Sequence, residues 1–238
     1  MEVKAGTSGY SFKEWKGSFY PSDLHADAML GYYAGRFPTV EINNTFYRLP
    51  KTHVLEEWAA QVPDRFTFTI KASQRITHFA RLKPEAADAV AFLLKTTSVL
   101  GDRLGAILFQ LPPNLKKDLA LFDAFLDTFP PKVCAAFEFR HVSWLEDDVY
   151  ARLRARNFAL CVADSEKLST PVEITADFGY FRLRDEGYTP DHIARWADTI
   201  VSKTAGCKDV FVYFKHEEEG KGPEFGRMLM NQFLILDS

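Results

Sequence analysis

Side chains able to do chemistry recur at one kind of place in this 238-residue chain, the ends of short apolar runs. Glu41 and Asn43 close the run Thr39–Asn44, Lys71 the run Phe66–Ala72, and Gln110 the run Gly105–Leu111. Glu138 and Arg140 close Cys134–Arg140, and Asp164 closes Ala159–Asp164. Arg182 and Arg184 close Phe178–Arg184, and Lys215 and His216 close Asp209–His216. A buried carboxylate or amide is costly unless it is paired or used. The set suits recognition and turnover of an anion. Arg140, Arg182 and Arg184 fit a phosphate or carboxylate, which the guanidinium fork matches. Glu41 or Glu138 reads as general base, Lys71 as general acid or electrostatic stabiliser, and Asp164 as a further catalytic carboxylate. A Schiff base at Lys71 would need its charge suppressed, whereas pairing with carboxylates favours the charged form. Asn43, Gln110, His141, Lys215 and His216 join the arginines as expected binding residues. So do Thr7, Ser8 and Tyr10 of Gly6-Thr7-Ser8-Gly9-Tyr10, a turn whose backbone N–H groups are suited to an anion.

These residues need a scaffold that brings strand ends together. Successive side chains of a strand point to opposite faces. Thr39, Glu41 and Asn43 therefore share one face, Val40 and Ile42 the other. Likewise Thr67, Thr69 and Lys71 oppose Phe66, Phe68 and Ile70, and Tyr180, Arg182 and Arg184 share a face. Between the strands, apolar residues recur at helical spacing, as at Met29, Leu30, Tyr33 and Phe37. The first strand is expected at Val3–Ala5, leading into the Gly-rich turn. The aromatic stretch Tyr10–Tyr20, with Lys13 and Lys16, follows and is expected to border the site, either stacking on a base or sugar or packing the loop onto the body. Ser143 to Glu146 fits a capping box, and Thr189-Pro190 starts another helix. Residues 165–177 are too short and too Pro/Thr-rich for a confident helix. Eight strand candidates alternating with helices predict one α/β domain over residues 1–238, a TIM (β/α)8 barrel irregular around its sixth unit. A doubly wound open sheet is the alternative; it would more often carry a nucleotide turn running straight into a helix. In a barrel, the strand ends form the C-terminal mouth, where active sites lie.

The formal net charge of −3 gives no general attraction to nucleic acid or anionic membrane. No uncharged apolar run approaches the roughly 20 residues that span a bilayer. The N-terminus lacks an apolar signal region, and Cys134, Cys161 and Cys207 form no disulfide pattern, so a cytoplasmic protein is expected. Glu41, Glu138, Asp164, His78, His141 and His216 are metal-ligand types, but no HxH or HExxH spacing occurs. No cofactor is predicted, with a divalent metal as the minor alternative.

The same residues carry a family resemblance. GTSGY, Glu41-Ile42-Asn43-Asn44-Thr45-Phe46-Tyr47, FTFTIKA with Ile76-Thr77-His78, ILFQLPP, Glu138-Phe139-Arg140-His141 and Phe214-Lys215-His216 resemble the domain-of-unknown-function family DUF72, also called YecE-like. The resemblance implies a TIM barrel and brings no reaction with it. Three functions follow from the residues: an enzyme for an anionic or phosphorylated small molecule, a nucleic-acid-processing protein analogous to barrels that cut at abasic sites, and a non-catalytic small-molecule sensor. A retaining glycosidase fits less well, because Gln110 and Arg182 stand where barrel glycosidases place their carboxylates.

Overall fold

Alternation within the strands sorts their side chains between two cores. The computed structural model describes residues 1–236 except 165–167, 186 and 218. The strands are β1 (Glu2–Ser8), β2 (Thr39–Ile42), β3 (Thr67–Lys71), β4 (Leu104–Gln110), β5 (Ala135–Glu138), β6 (Ala159–Asp164), β7 (Phe178–Leu183) and β8 (Asp209–Phe214). They pair in sequence order, and β1 pairs with β8 in parallel to close the barrel. Helices α1 (Met29–Ala34), α2 (Thr52–Ala60), α3 (Ala87–Thr97), α4 (Leu119–Leu126), α5 (Asp147–Arg156), α6 (Pro190–Lys203) and α7 (Lys221–Leu236) surround it. This is the TIM barrel that the alternation predicts. No described helix is long and apolar enough to cross a membrane.

The outer core lies between strands and helices. Val40, Ile42, Phe68, Ile70, Phe109 and Phe137 pack there with Leu30, Leu55, Phe122 and Leu153, while Val162, Phe181, Val212 and Phe214 meet Ile193, Ala197 and Leu229. The inner core holds the other parity: Leu108, Ala136, Cys161, Tyr180, Phe211 and Tyr213. Inside it, the Tyr213 hydroxyl lies 2.7 Å from Thr39 Oγ1 and 2.7 Å from Thr69 Oγ1, so a phenol and two hydroxyls satisfy one another. Lys4, also inward, is neutralised by Asp209 at 3.0 Å.

Two local expectations change. β1 runs through Gly6 to Ser8 instead of ending at Ala5, and the backbone turns at Gly9, whose φ of 96° suits glycine. Ser143 does not open a capping box; its Oγ accepts from the Lys117 N–H at 2.8 Å, and Glu146, next to α5, pairs with Lys117 through its carboxylate. Between β6 and β7, residues 165–167 lie outside those described, and 168–177 form no helix. Thr175 helps seal this side, its hydroxyl donating to Phe158 O and accepting from Leu160 N, both at 2.7 Å. α6 does begin at a capping box, where Thr189 Oγ1 accepts from His192 N and His192 Nδ1 accepts from Thr189 N, both at 3.3 Å.

Candidate functional site

Parity carries Ser8, Glu41, Lys71, Gln110, Glu138, Arg140, Arg182, Arg184 and Lys215 to the inner side of the C-terminal mouth. They meet at and beneath a cavity of about 740 Å³. Arg182 organises its floor. It is 1% exposed, and both carboxylates that it holds are fully buried. Its Nη2 donates to Glu41 Oε1 at 2.8 Å and its Nη1 to Glu138 Oε2 at 2.5 Å. Glu41 Oε1 also accepts from Ser8 Oγ at 2.7 Å and Asn43 Nδ2 at 3.1 Å, and its Oε2 accepts from the Tyr180 hydroxyl at 2.6 Å. Gln110 Nε2 donates to Glu138 Oε2 at 3.0 Å. Arg140 Nε pairs with Glu138 Oε1, and Arg184 Nη1 lies 3.8 Å from the same oxygen.

The electrostatics follow from this wiring. Burial alone would raise the pKa of Glu138, but Arg182, then Arg140 and Arg184, bring it down to about 2. Burial also opposes ionisation of Glu41, and Arg182 with the Tyr180 and Ser8 hydroxyls holds it below its ordinary value. Both carboxylates are therefore held as anions; each Glu41 oxygen accepts hydrogen bonds, whereas Glu138 Oε1 has the charges of Arg140 and Arg184 beside it but no hydrogen bond. A general base works best with a pKa near the working pH, and the lowered pKa of both carboxylates favours a scaffolding part over the expected base role. Arg182 changes role in the same way: its two terminal nitrogens are occupied, which leaves it as the bridge between the carboxylates.

Lys71 also differs from expectation. It makes no ion pair among the described residues. Its Nζ donates to Gln110 Oε1 at 2.9 Å and lies 4.4 Å from the centre of the Phe46 ring. Burial, and next the charge of Arg182, lower its pKa to about 8, against the opposing pull of Glu41 and Glu138. The sequence argument expected carboxylate pairing to favour the charged form; instead burial outweighs that pull, and Arg182 holds both carboxylates. Lys215 is shifted down by burial, then by Arg184 and Arg182, and Arg184 by burial, then by Arg140 and Arg182. Among the described residues, five cations, Lys71, Arg140, Arg182, Arg184 and Lys215, face or underlie the cavity, against three carboxylates, Glu41, Glu138 and Glu217.

Four expected site residues lie elsewhere. Asp164 has the parity of Val162, which faces the helices, and its Oδ2 accepts from the Tyr188 hydroxyl at 2.6 Å. Thr7 points outward to the Tyr33 hydroxyl at 2.9 Å. His141 turns back to Ser143, with 2.9 Å from Nδ1 to Oγ. His216 faces the Asp185 carbonyl at 2.7 Å and packs edge-on to Phe225. The aromatic loop also divides. Tyr10 and Phe12 line the cavity, whereas Trp15, Phe19 and Tyr20 are buried in the outer core and Lys13 and Lys16 are exposed away from it. Conversely, Tyr180, Phe46, Tyr47 and His78 belong to the site and were not assigned to it from sequence. Tyr180 shares parity with Arg182, which is the signal that marks it. A π-helical turn over Arg75–Phe79 brings His78 to the cavity, edge-on to Phe46, and no sequence period announces such a turn. Among the described residues, no group of three or more His, Cys, Asp or Glu is placed to hold a metal.

Known proteins resemble this chain in sequence and fold. Residues 4–236 match the family described as "Protein of unknown function DUF72". UPF0759 protein YunF of Bacillus subtilis (strain 168) is 25% identical over 252 residues, which cover 90% of this chain and 89% of YunF. UPF0759 protein YecE of Escherichia coli (strain K12) is 36% identical over 110 residues, 46% of this chain and 40% of YecE. A crystal structure of a DUF72 family protein from Thermotoga maritima MSB8 has a TM-score of 0.83 at 25% identity, covering 98% of this chain and 100% of that one. Another, from Enterococcus faecalis V583, has a TM-score of 0.81 at 18% identity over 98% of this chain and 95% of its own, a likeness of fold alone. With the family match spanning nearly the whole sequence, this chain belongs to the DUF72 family.

Proposed function

We propose that the mouth of this barrel is the active site of an enzyme acting on a small anionic molecule. One observation carries the reading: Arg182 alone bridges the two buried carboxylates, yet Lys71, Arg140, Arg184 and Lys215 face the same cavity. Arg140 and Arg184 must share Glu138 with Arg182. Like charges so crowded disfavour one another's charged forms, and a bound phosphate or carboxylate relieves that repulsion while meeting donors suited to it. The volume of about 740 Å³ is in the range of small-molecule sites. A nucleic-acid reading draws less support, because Trp15, Phe19 and Tyr20, three of the five aromatics in the expected stacking stretch, are buried.

Thermal unfolding in phosphate or sulfate, against chloride at equal ionic strength, tests the reading. A ligand that binds only the folded state raises its stability by mass action. Wild type is expected to gain several degrees, and Arg184→Gln with Lys215→Met to lose most of that gain. No gain in wild type, or an equal gain in the double variant, would refute an anion site here.

A further inference from the structure

Of the described lysines, only Lys4, Lys71 and Lys117 are less than exposed. Lys4 is held by Asp209 and Glu2, and Lys117 by Glu146 and Asp148. Lys71 is bound to no carboxylate among the described residues. Its hydrogen bond goes to the neutral amide of Gln110, whose orientation is fixed because its other end donates to Glu138. Phe46 covers one side of the amine, and the cavity opens beside it. We propose that Lys71 forms an imine with a small aldehyde or ketone carrying a phosphate or carboxylate, the anionic group lying against Arg184 and Lys215. This deepens the reading above and rests on it.

The chemistry needs no further reactant. The uncharged amine attacks the carbonyl carbon, a C–N bond forms, and the C=O π pair moves to oxygen. The oxygen then leaves as water with the two protons that the amine carried, and the C=N bond closes. A lysine serves as such a nucleophile when desolvated or set beside another cation. Burial first, then Arg182 and Lys215, act on Lys71 in that sense while Glu41 and Glu138 oppose them, and its pKa is lowered to about 8, so a minority of the amine is uncharged at neutrality. The committed carboxylates fit this division: they fix Arg182 and leave the lysine unpaired.

Reductive trapping tests it. The protein is treated with cyanoborohydride and glycolaldehyde phosphate, glyoxylate or uncharged glycolaldehyde, then weighed intact and mapped by peptide mass. Expected is a single adduct on Lys71 with the two anionic probes, forming at least tenfold faster than with glycolaldehyde. It is absent from Lys71→Met, with Lys71→Arg as substitute should that variant not fold. Arg184→Gln is expected to slow the anionic probes to the glycolaldehyde rate. Adducts spread over exposed lysines with Lys71 unmodified would overturn the imine, even where phosphate still raises the unfolding temperature and the anion reading stands. Equal labelling of Lys71 by all three probes would overturn the anionic substrate class and count against the anion reading itself.

Discussion

Arg182 gives the plainest example of a residue whose role depends on its neighbours. A guanidinium at a strand end reads as a ligand clamp, but here it ties Glu41 to Glu138 with no exposed surface to spare. Removing one partner from a buried ion pair leaves an uncompensated charge. Arg182→Met should therefore lower stability by about 3–5 kcal/mol in urea unfolding, since it strands Glu41 and takes from Glu138 its one fully buried partner. Arg140→Gln and Arg184→Gln should each cost less than about 1 kcal/mol, because Glu138 keeps its other partners. Equal losses for all three would show that the network is shared evenly and that no cation is spare. The type and position of Arg182, Glu41 and Glu138 were legible in the sequence. Which charge each one satisfies was not, because pairing crosses β2, β5 and β7 and no local pattern encodes it. The state of Lys71 was hidden for the same reason.

At the scale of elements, the phase of a strand decides which residues reach the site. In β2 and β7 the two faces differ sharply in polarity, so Glu41 and Arg182 could be assigned inward from sequence. In β6 both faces are apolar, Leu160 and Val162 against Cys161 and Ala163, as is usual for strands covered on both sides. Asp164 therefore carried no phase signal, and a count of strand ends placed it in the pocket when it faces Tyr188. Thr7 and His216 fail in the same way, one residue out of phase with Ser8 and Lys215. Helix starts are legible where the cap is local. The Thr189 box at α6 is such a case, and Thr189→Ala should cost about 1 kcal/mol in thermal or urea unfolding. An unchanged midpoint would mean that packing of Ile193, Ala197 and Ile200 alone sets the stability of α6. The Ser143 box failed because its hydroxyl was taken by Lys117, a partner 26 residues away.

The whole molecule is a barrel whose mouth has a floor of buried charges, Arg182 with Glu41 and Glu138, and this gives it an acid limit. Glu138 falls from the ordinary value of 4.5 to about 2 on folding, and Glu41 is also lowered. A carboxylate with a depressed folded pKa contributes stability that is present above its unfolded pKa and lost as pH falls through the folded one. The urea midpoint should hold from pH 7 to about 5 and then drop between roughly 4.5 and 2, with a shallower drop in Glu138→Gln. An identical acid profile in that variant would place the sensitivity elsewhere. Eight strand candidates alternating with helices were enough to anticipate the barrel, and the polar ends of seven of them its mouth; which charges pair emerged only from the structure.

The central claim is that the excess of cations among the described residues of the mouth belongs to a ligand. The most direct measurement is anomalous X-ray scattering from crystals soaked in selenate, which mimics sulfate and phosphate in shape and charge. An anomalous peak is expected within hydrogen-bonding distance of Arg184 and Lys215 at the barrel mouth, weakened in Arg184→Gln. Peaks confined to the outer surface, with none at the mouth of well-diffracting wild-type crystals, would contradict it and leave the cluster as a structural closure.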